Sequence, residues 1–126
     1  MNPYTDIEGL QDIVLEESYV LAITATPGAV VFKVDFVLAP DHPRYQPKRP
    51  DEFACFRRGE LRFQAVKILY WTGQGRPPTR DPGGELDYDH IENFEWEPSC
   101  YQLHGDWGYM EVTGGDVQVT IDNAES

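Results

Sequence analysis

The chain has 126 residues and a formal net charge of −12, from 22 acidic and 10 basic side chains. That length suits a single domain spanning 1–126 that folds without a metal or a disulfide, and 40% hydrophobic content argues against wholesale disorder. The acid excess opposes binding to nucleic acid or to an anionic membrane, because both require a dense basic patch. The basic residues form only short clusters among acids: Arg57-Arg58, the run from Arg44 to Arg49, and Arg76 with Arg80. The opening MNPYTDIEGL has no basic segment followed by an apolar core, and no apolar run reaches membrane-span length. A cytoplasmic location is expected.

In chain order, DIVLE (12–16) predicts a short first strand. SYVLAITAT (18–26) alternates, with Tyr19, Leu21, Ile23 and Ala25 on one face. AVVFKVDFVLA (29–39) places Val30, Phe32, Val34, Phe36 and Leu38 on one face and Val31, Lys33, Asp35 and Val37 on the other. Between them, Thr26-Pro27-Gly28-Ala29 predicts a hairpin turn: Pro27 presets its φ and Gly28 supplies a positive one.

PDHPRYQPKRPDE (40–52) holds four prolines and reads as a wrapped loop. FACF (53–56) predicts a short strand, Arg58-Gly59 a turn, and ELRFQAVKILYWT (60–72) a further strand. The alternation in that last stretch changes phase at Ala65-Val66, which predicts a β-bulge. GQGRPPTRDPGGELDYDH (73–90) is a second long loop, of a length associated with function. Strands are then expected in IENFEWE (91–97), CYQLHG (100–105), WGYMEV (107–112) and DVQVTI (116–121), joined by short turns. No stretch reads as a helix. The pattern predicts an all-β fold, an antiparallel β-sandwich or partly open barrel of about eight strands with two long loops.

Signatures of common catalytic machinery are absent: no phosphate-cradling loop with its lysine, no nucleophile elbow, no CxxC pair and no HExxH. No catalytic residue or cofactor is assigned. Cys55 and Cys100 are expected as free thiols, with a single disulfide as the alternative. The three histidines each adjoin an aspartate or stand one residue from one. Asp41, His42, Asp87, Asp89, His90 and His104 are therefore the candidate binding set, able to hold a divalent metal if both loops fold over the same end. The competing structural reading has His42 tying down its own loop and the acids of 85–92 facing water.

Tyr70 and Trp71 point to opposite faces of one strand, so one ring is expected at the surface. Trp71 is the candidate for stacking on a sugar or a peptide, against the commoner role of indoles as core plugs. GDWG (105–108) reads as a hairpin with Trp107 pinned to the core, leaving His104 on the face opposite Leu103.

The leading functional expectation is a non-catalytic binding or protein-interaction protein, one form of which neutralises a partner with a basic surface. The alternatives are a metal-dependent enzyme or metal-binding protein using the histidines and aspartates, and a carbohydrate- or peptide-binding module.

Three stretches carry a resemblance: SYVLAI followed by VLAPDHPRY, then CFRRGELRF, then LDYDHIENFEWEPSCYQLHGDWGYMEV. Together they resemble a family of small bacterial proteins sharing a DHP loop, a C–RG–L–F strand pair and a GDWG turn. The likeness runs from Leu10 to Ile121 and rests on Asp41, His42 and Pro43; Cys55, Arg58 and Gly59; Asp87, Ile91 and Phe94; and Gly105, Asp106, Trp107 and Gly108. It implies no activity, ligand or site chemistry.

Overall fold

The computed structural model describes residues 1–46, 54–75, 77–80 and 86–122. Eleven strands occur among them: β1 (Asn2–Pro3), β2 (Tyr19–Thr26), β3 (Ala29–Val37), β4 (Phe56–Gln64), β5 (Ile68–Thr72), β6 (Thr79–Arg80), β7 (Leu86–Asp87), β8 (Asn93–Glu97), β9 (Cys100–Gly105), β10 (Gly108–Thr113) and β11 (Asp116–Ile121). One sheet runs β1-β8-β9-β10-β5 and the other β11-β4-β3-β2, with β6 and β7 as a separate ribbon. All pairings are antiparallel and neither sheet closes on itself, so the fold is all-β and resembles an open sandwich. No α-helix occurs among the described residues, and no helix is long and apolar enough to cross a membrane.

Alternation places the core between the sheets. From the four-stranded sheet, Val30, Phe32, Val34, Phe36, Leu61 and Phe63 are all fully buried. Facing them, the ladder aligns Phe94, Leu103, Met110 and Trp71 in one row, and Trp96, Tyr101, Val112 and Leu69 in the next. The seam is aromatic. Phe63 packs 5.3 Å from Tyr101 and 6.0 Å from Phe94, and Phe32 meets Trp107 edge-on at 5.2 Å. Such pairs add to the area they bury because ring edges and faces carry opposite partial charges.

The β2–β3 hairpin forms as its turn chemistry demands, with Gly28 at φ 85°. A register shift between Val20 and Ala22, which simple alternation does not reveal, turns Ile23 towards the core cluster. The strand expected at 12–16 reduces to one bridge, Ile13 to Leu38. Leu15–Glu17 is instead a 3-10 turn. Side chains hold it there: the Tyr4 hydroxyl accepts Leu15 N–H at 3.2 Å. Buried Ser18 donates to the Val14 carbonyl at 2.8 Å and accepts Val37 N–H at 2.9 Å. Satisfying backbone groups this way competes with a regular ladder.

Arg58-Gly59 is not a turn but the middle of β4, which starts at Phe56 rather than within 53–55; Phe53 lies outside the described residues. Gly59 serves close approach: a side chain there would run into the Thr120 carbonyl of neighbouring β11. The phase change at Ala65-Val66 is a crossover, not a bulge. Ala65 takes φ 56°, and the chain leaves the four-stranded sheet to enter the other at Ile68. Val66 N–H bonds to the Gly28 carbonyl at 3.0 Å and Lys67 N–H to the Thr113 carbonyl at 2.9 Å, which pins the corner to both sheets.

The loop 73–90 is partly regular. It contains the β6–β7 ribbon, and its end pairs with the edge of β2 through Val20 N–H to the Asp89 carbonyl and Tyr88 N–H to the Val20 carbonyl, both 2.8 Å. Residues 76 and 81–85 of that loop, and 47–52 of the first, lie outside the described residues. Cys55 is buried between strands, Cys100 is half-buried on β9, and both are free thiols.

Candidate functional site

Two surfaces stand out. The first is a pocket of about 390 Å³ where the loop after β5 meets the segment before β8. Trp71, Tyr88 and Trp107 supply rings, Pro77 and Pro78 one wall, and Ile23 an apolar contact. This volume lies within the range of small-ligand sites. Both indoles spend their N–H inside the protein: Trp71 donates to the Trp107 carbonyl at 3.3 Å, and Trp107 to the His90 carbonyl at 3.1 Å. The rings are thus fixed in place; half-buried Trp71 offers a ligand its face rather than a donor, while Trp107 backs the pocket from the core. Of the adjacent pair on β5, Tyr70 is the exposed ring at 54% and Trp71 is half-buried.

Polar groups stand beside this pocket in sequence. Asp89, next to Tyr88, hydrogen-bonds through its carboxyl to Asp106, next to Trp107. Burial first, and then the bond to and charge of Asp106, push the Asp89 carboxyl above its usual range, with nearby His90 opposing. Asp89 takes φ 64°, and its N–H bonds to buried Asp87 at 2.8 Å. His90 donates from Nδ1 to the Ser18 carbonyl at 2.7 Å and packs 4.8 Å from the Tyr19 ring. Its Nε2 stands 4.0 Å from Asp89 Oδ1.

The structure therefore gathers Asp87, Asp89 and His90, and adds Asp106. The remaining members of the expected set have other surroundings. His42, in the loop after β3, accepts Arg44 N–H on Nδ1 at 2.9 Å, an Asx-like local turn, and burial lowers its pKa. Asp41 is exposed. His104 is exposed on the outer face of β9, between Asn93 and Tyr109 on the flanking strands. Among the described residues no three of His, Cys, Asp and Glu converge to hold a metal ion.

The second surface is the outer face of the five-stranded sheet. The ladder aligns Glu95, Gln102, Glu111 and Tyr70 in one row, and Glu97, Cys100, Thr113 and Ile68 in the next. Tyr70 packs 6.4 Å from Tyr109, whose hydroxyl donates to Glu111 at 2.6 Å and is thereby pushed up to about 12. No lysine or arginine occurs in any of the five strands. The four-stranded sheet differs: its outer face opposes Lys33 to Glu60 and Asp35 to Arg58, and Arg62 pairs with Glu60 at 3.0 Å.

This segregation was available in the sequence as a signal that motif-reading passes over. All 10 basic residues lie at or before Arg80, where acids and bases balance, so the whole net charge of −12 falls in 81–126. That stretch supplies β7 to β11. No family model, curated protein or solved structure matches the chain.

Proposed function

We propose that this is a non-catalytic binding protein that engages a basic protein partner through the outer face of its five-stranded sheet. The carrying observation is the charge segregation. Three glutamates share that face with Ile68, Tyr70 and Tyr109, and no lysine or arginine occurs in the five strands that form it, Lys67 standing just before β5. Aromatic and apolar area within acidic surroundings matches what protein interfaces use, with charge setting partner choice and encounter rate. The free thiols Cys55 and Cys100 support a cytoplasmic setting for this binding. The resemblance to small bacterial proteins with DHP and GDWG motifs is part of the proposal as a kinship, and it adds no activity.

Position, not total charge, is the test. Glu95→Lys with Glu97→Lys is expected to weaken capture of basic proteins from the host lysate by about tenfold or more. Asp6→Lys with Glu8→Lys changes net charge equally at exposed sites elsewhere and is expected to leave most of the capture intact. Equal losses in the two variants would reduce the effect to bulk charge and remove the assigned face.

The aromatic pocket supports a second reading, a module for a carbohydrate or a proline-containing peptide. Ring faces stack on sugar and proline rings, and Gln74 at the rim supplies an amide. Titration with a panel of oligosaccharides and proline-rich peptides is expected to change tryptophan fluorescence saturably, with the response lost in Trp71→Ala. A panel without any saturable response rules this reading out.

A further inference from the structure

Each main sheet has two edges, and three of the four are short, covered or polar. β1 is two residues long and ends in Pro3, which has no N–H to offer a partner strand. β2 is covered at Val20 by the backbone of Tyr88 and Asp89, and its ladder is interrupted by the register shift between Val20 and Ala22. β11 presents Asp116, Gln118 and Thr120 to solvent. β5 differs from all of these. Its sequence ILYWT contains no charge and no proline, its pairing with β10 has no register shift, and Ile68 and Tyr70 are 63% and 54% exposed. Natural edge strands normally carry a charge, a proline or a bulge, because an unguarded edge is a template for another strand.

We infer that β5 receives an extended segment of the basic partner as an added strand, lengthening the five-stranded sheet. This rests on the proposed basic partner and specifies how that partner docks. The period-two geometry dictates the segment's pattern. Every second side chain lies on the outer face beside Ile68, Tyr70 and Thr72. One strand further in, Glu111 stands in register with Tyr70. A lysine or arginine there covers the Tyr70 ring with its cation and reaches towards Glu111. The intervening residues face the side of Leu69 and Trp71, both half-buried, and are apolar. A second copy of this chain is the wrong occupant: it brings another −12 to the same place and has no cation in β5.

The test uses two peptides of ~8 residues with blocked ends and equal numbers of lysines, one alternating lysine with valine and one with prolines in adjacent pairs, which removes N–H donors from both strand edges. They carry equal charge, but only the first can pair along an edge. The lysine–valine peptide is expected to bind about tenfold tighter and to slow amide hydrogen exchange within 68–72. Ile68→Lys with Tyr70→Lys, exposed substitutions checked for an unchanged melting midpoint, is expected to remove both effects. Equal binding of the two peptides, or protection elsewhere, overturns the edge inference while leaving the acidic-face reading to its own test with Glu95 and Glu97. Binding of neither peptide overturns it as well. So does a dimer in sedimentation that Tyr70→Lys dissolves, since the edge would then belong to a second copy.

Discussion

Trp107→Ala is expected to lower the unfolding free energy by about 3–5 kcal/mol, the range for emptying a large aromatic site in a core. Trp107 is 2% exposed and meets Phe32 edge-on across the two sheets. It also works as a polar strut. Its indole N–H satisfies the His90 carbonyl at 3.1 Å, and its own carbonyl accepts the Trp71 indole N–H at 3.3 Å. Removal therefore leaves a cavity and an unsatisfied carbonyl together. Trp107→Phe separates the two contributions, keeping most of the ring and losing the bond, and is expected to cost about 1–3 kcal/mol. Chemical denaturation with a two-state fit reads both. An unchanged midpoint in Trp107→Ala, with ligand response lost, would move this residue from the core to the pocket's working surface.

Legibility of the fold in the sequence followed the locality of the cause. The strands Cys100–Gly105 and Asp116–Ile121 were predicted with their boundaries and the β2–β3 hairpin to within two residues, because alternation and Pro-Gly or Gly-Gly turns act over a few residues. The Ala65-Val66 phase change was visible, but its cause was not. A bulge and a change of sheet invert the alternation identically, and only contacts to Gly28 and Thr113 distinguish them. Gly59 shows the same limit in reverse. Glycine after Arg-Arg suggests a turn, whereas a partner strand distant in sequence needs the space. For the site, Trp71 was singled out from its position beside Tyr70, and it does line the pocket. The union of Asp89 with Asp106 was illegible, because Asp106 belongs to the β9–β10 turn and Asp89 to the far end of a loop. The acidic face was legible in principle, since a chain without cations after Arg80 must place its charge on whichever strands that segment forms.

Gly108→Ala is expected to cost about 3 kcal/mol or more, from strained backbone and crowding acting together. Gly108 opens β10 at φ 126°, a conformation that L-residues avoid. A methyl group there would also run into the Thr72 carbonyl at the end of β5, with Gly73 Cα 3.2 Å away. Gly28→Ala provides the comparison. Gly28 also has positive φ, but a methyl group would meet nothing within 4 Å, so only the backbone penalty of about 1 kcal/mol is expected. The difference between the two variants measures the close approach of β5 to β10. Equal costs would mean that the two strands do not meet this tightly. The distinction bears on binding, because the Tyr109–Thr72 pair at this corner begins the register that carries Trp71 into the pocket and Tyr70 onto the outer face. Displacing it is expected to weaken both the pocket response and strand addition at β5, whereas Gly28→Ala, at the tip of the other sheet, leaves them unchanged.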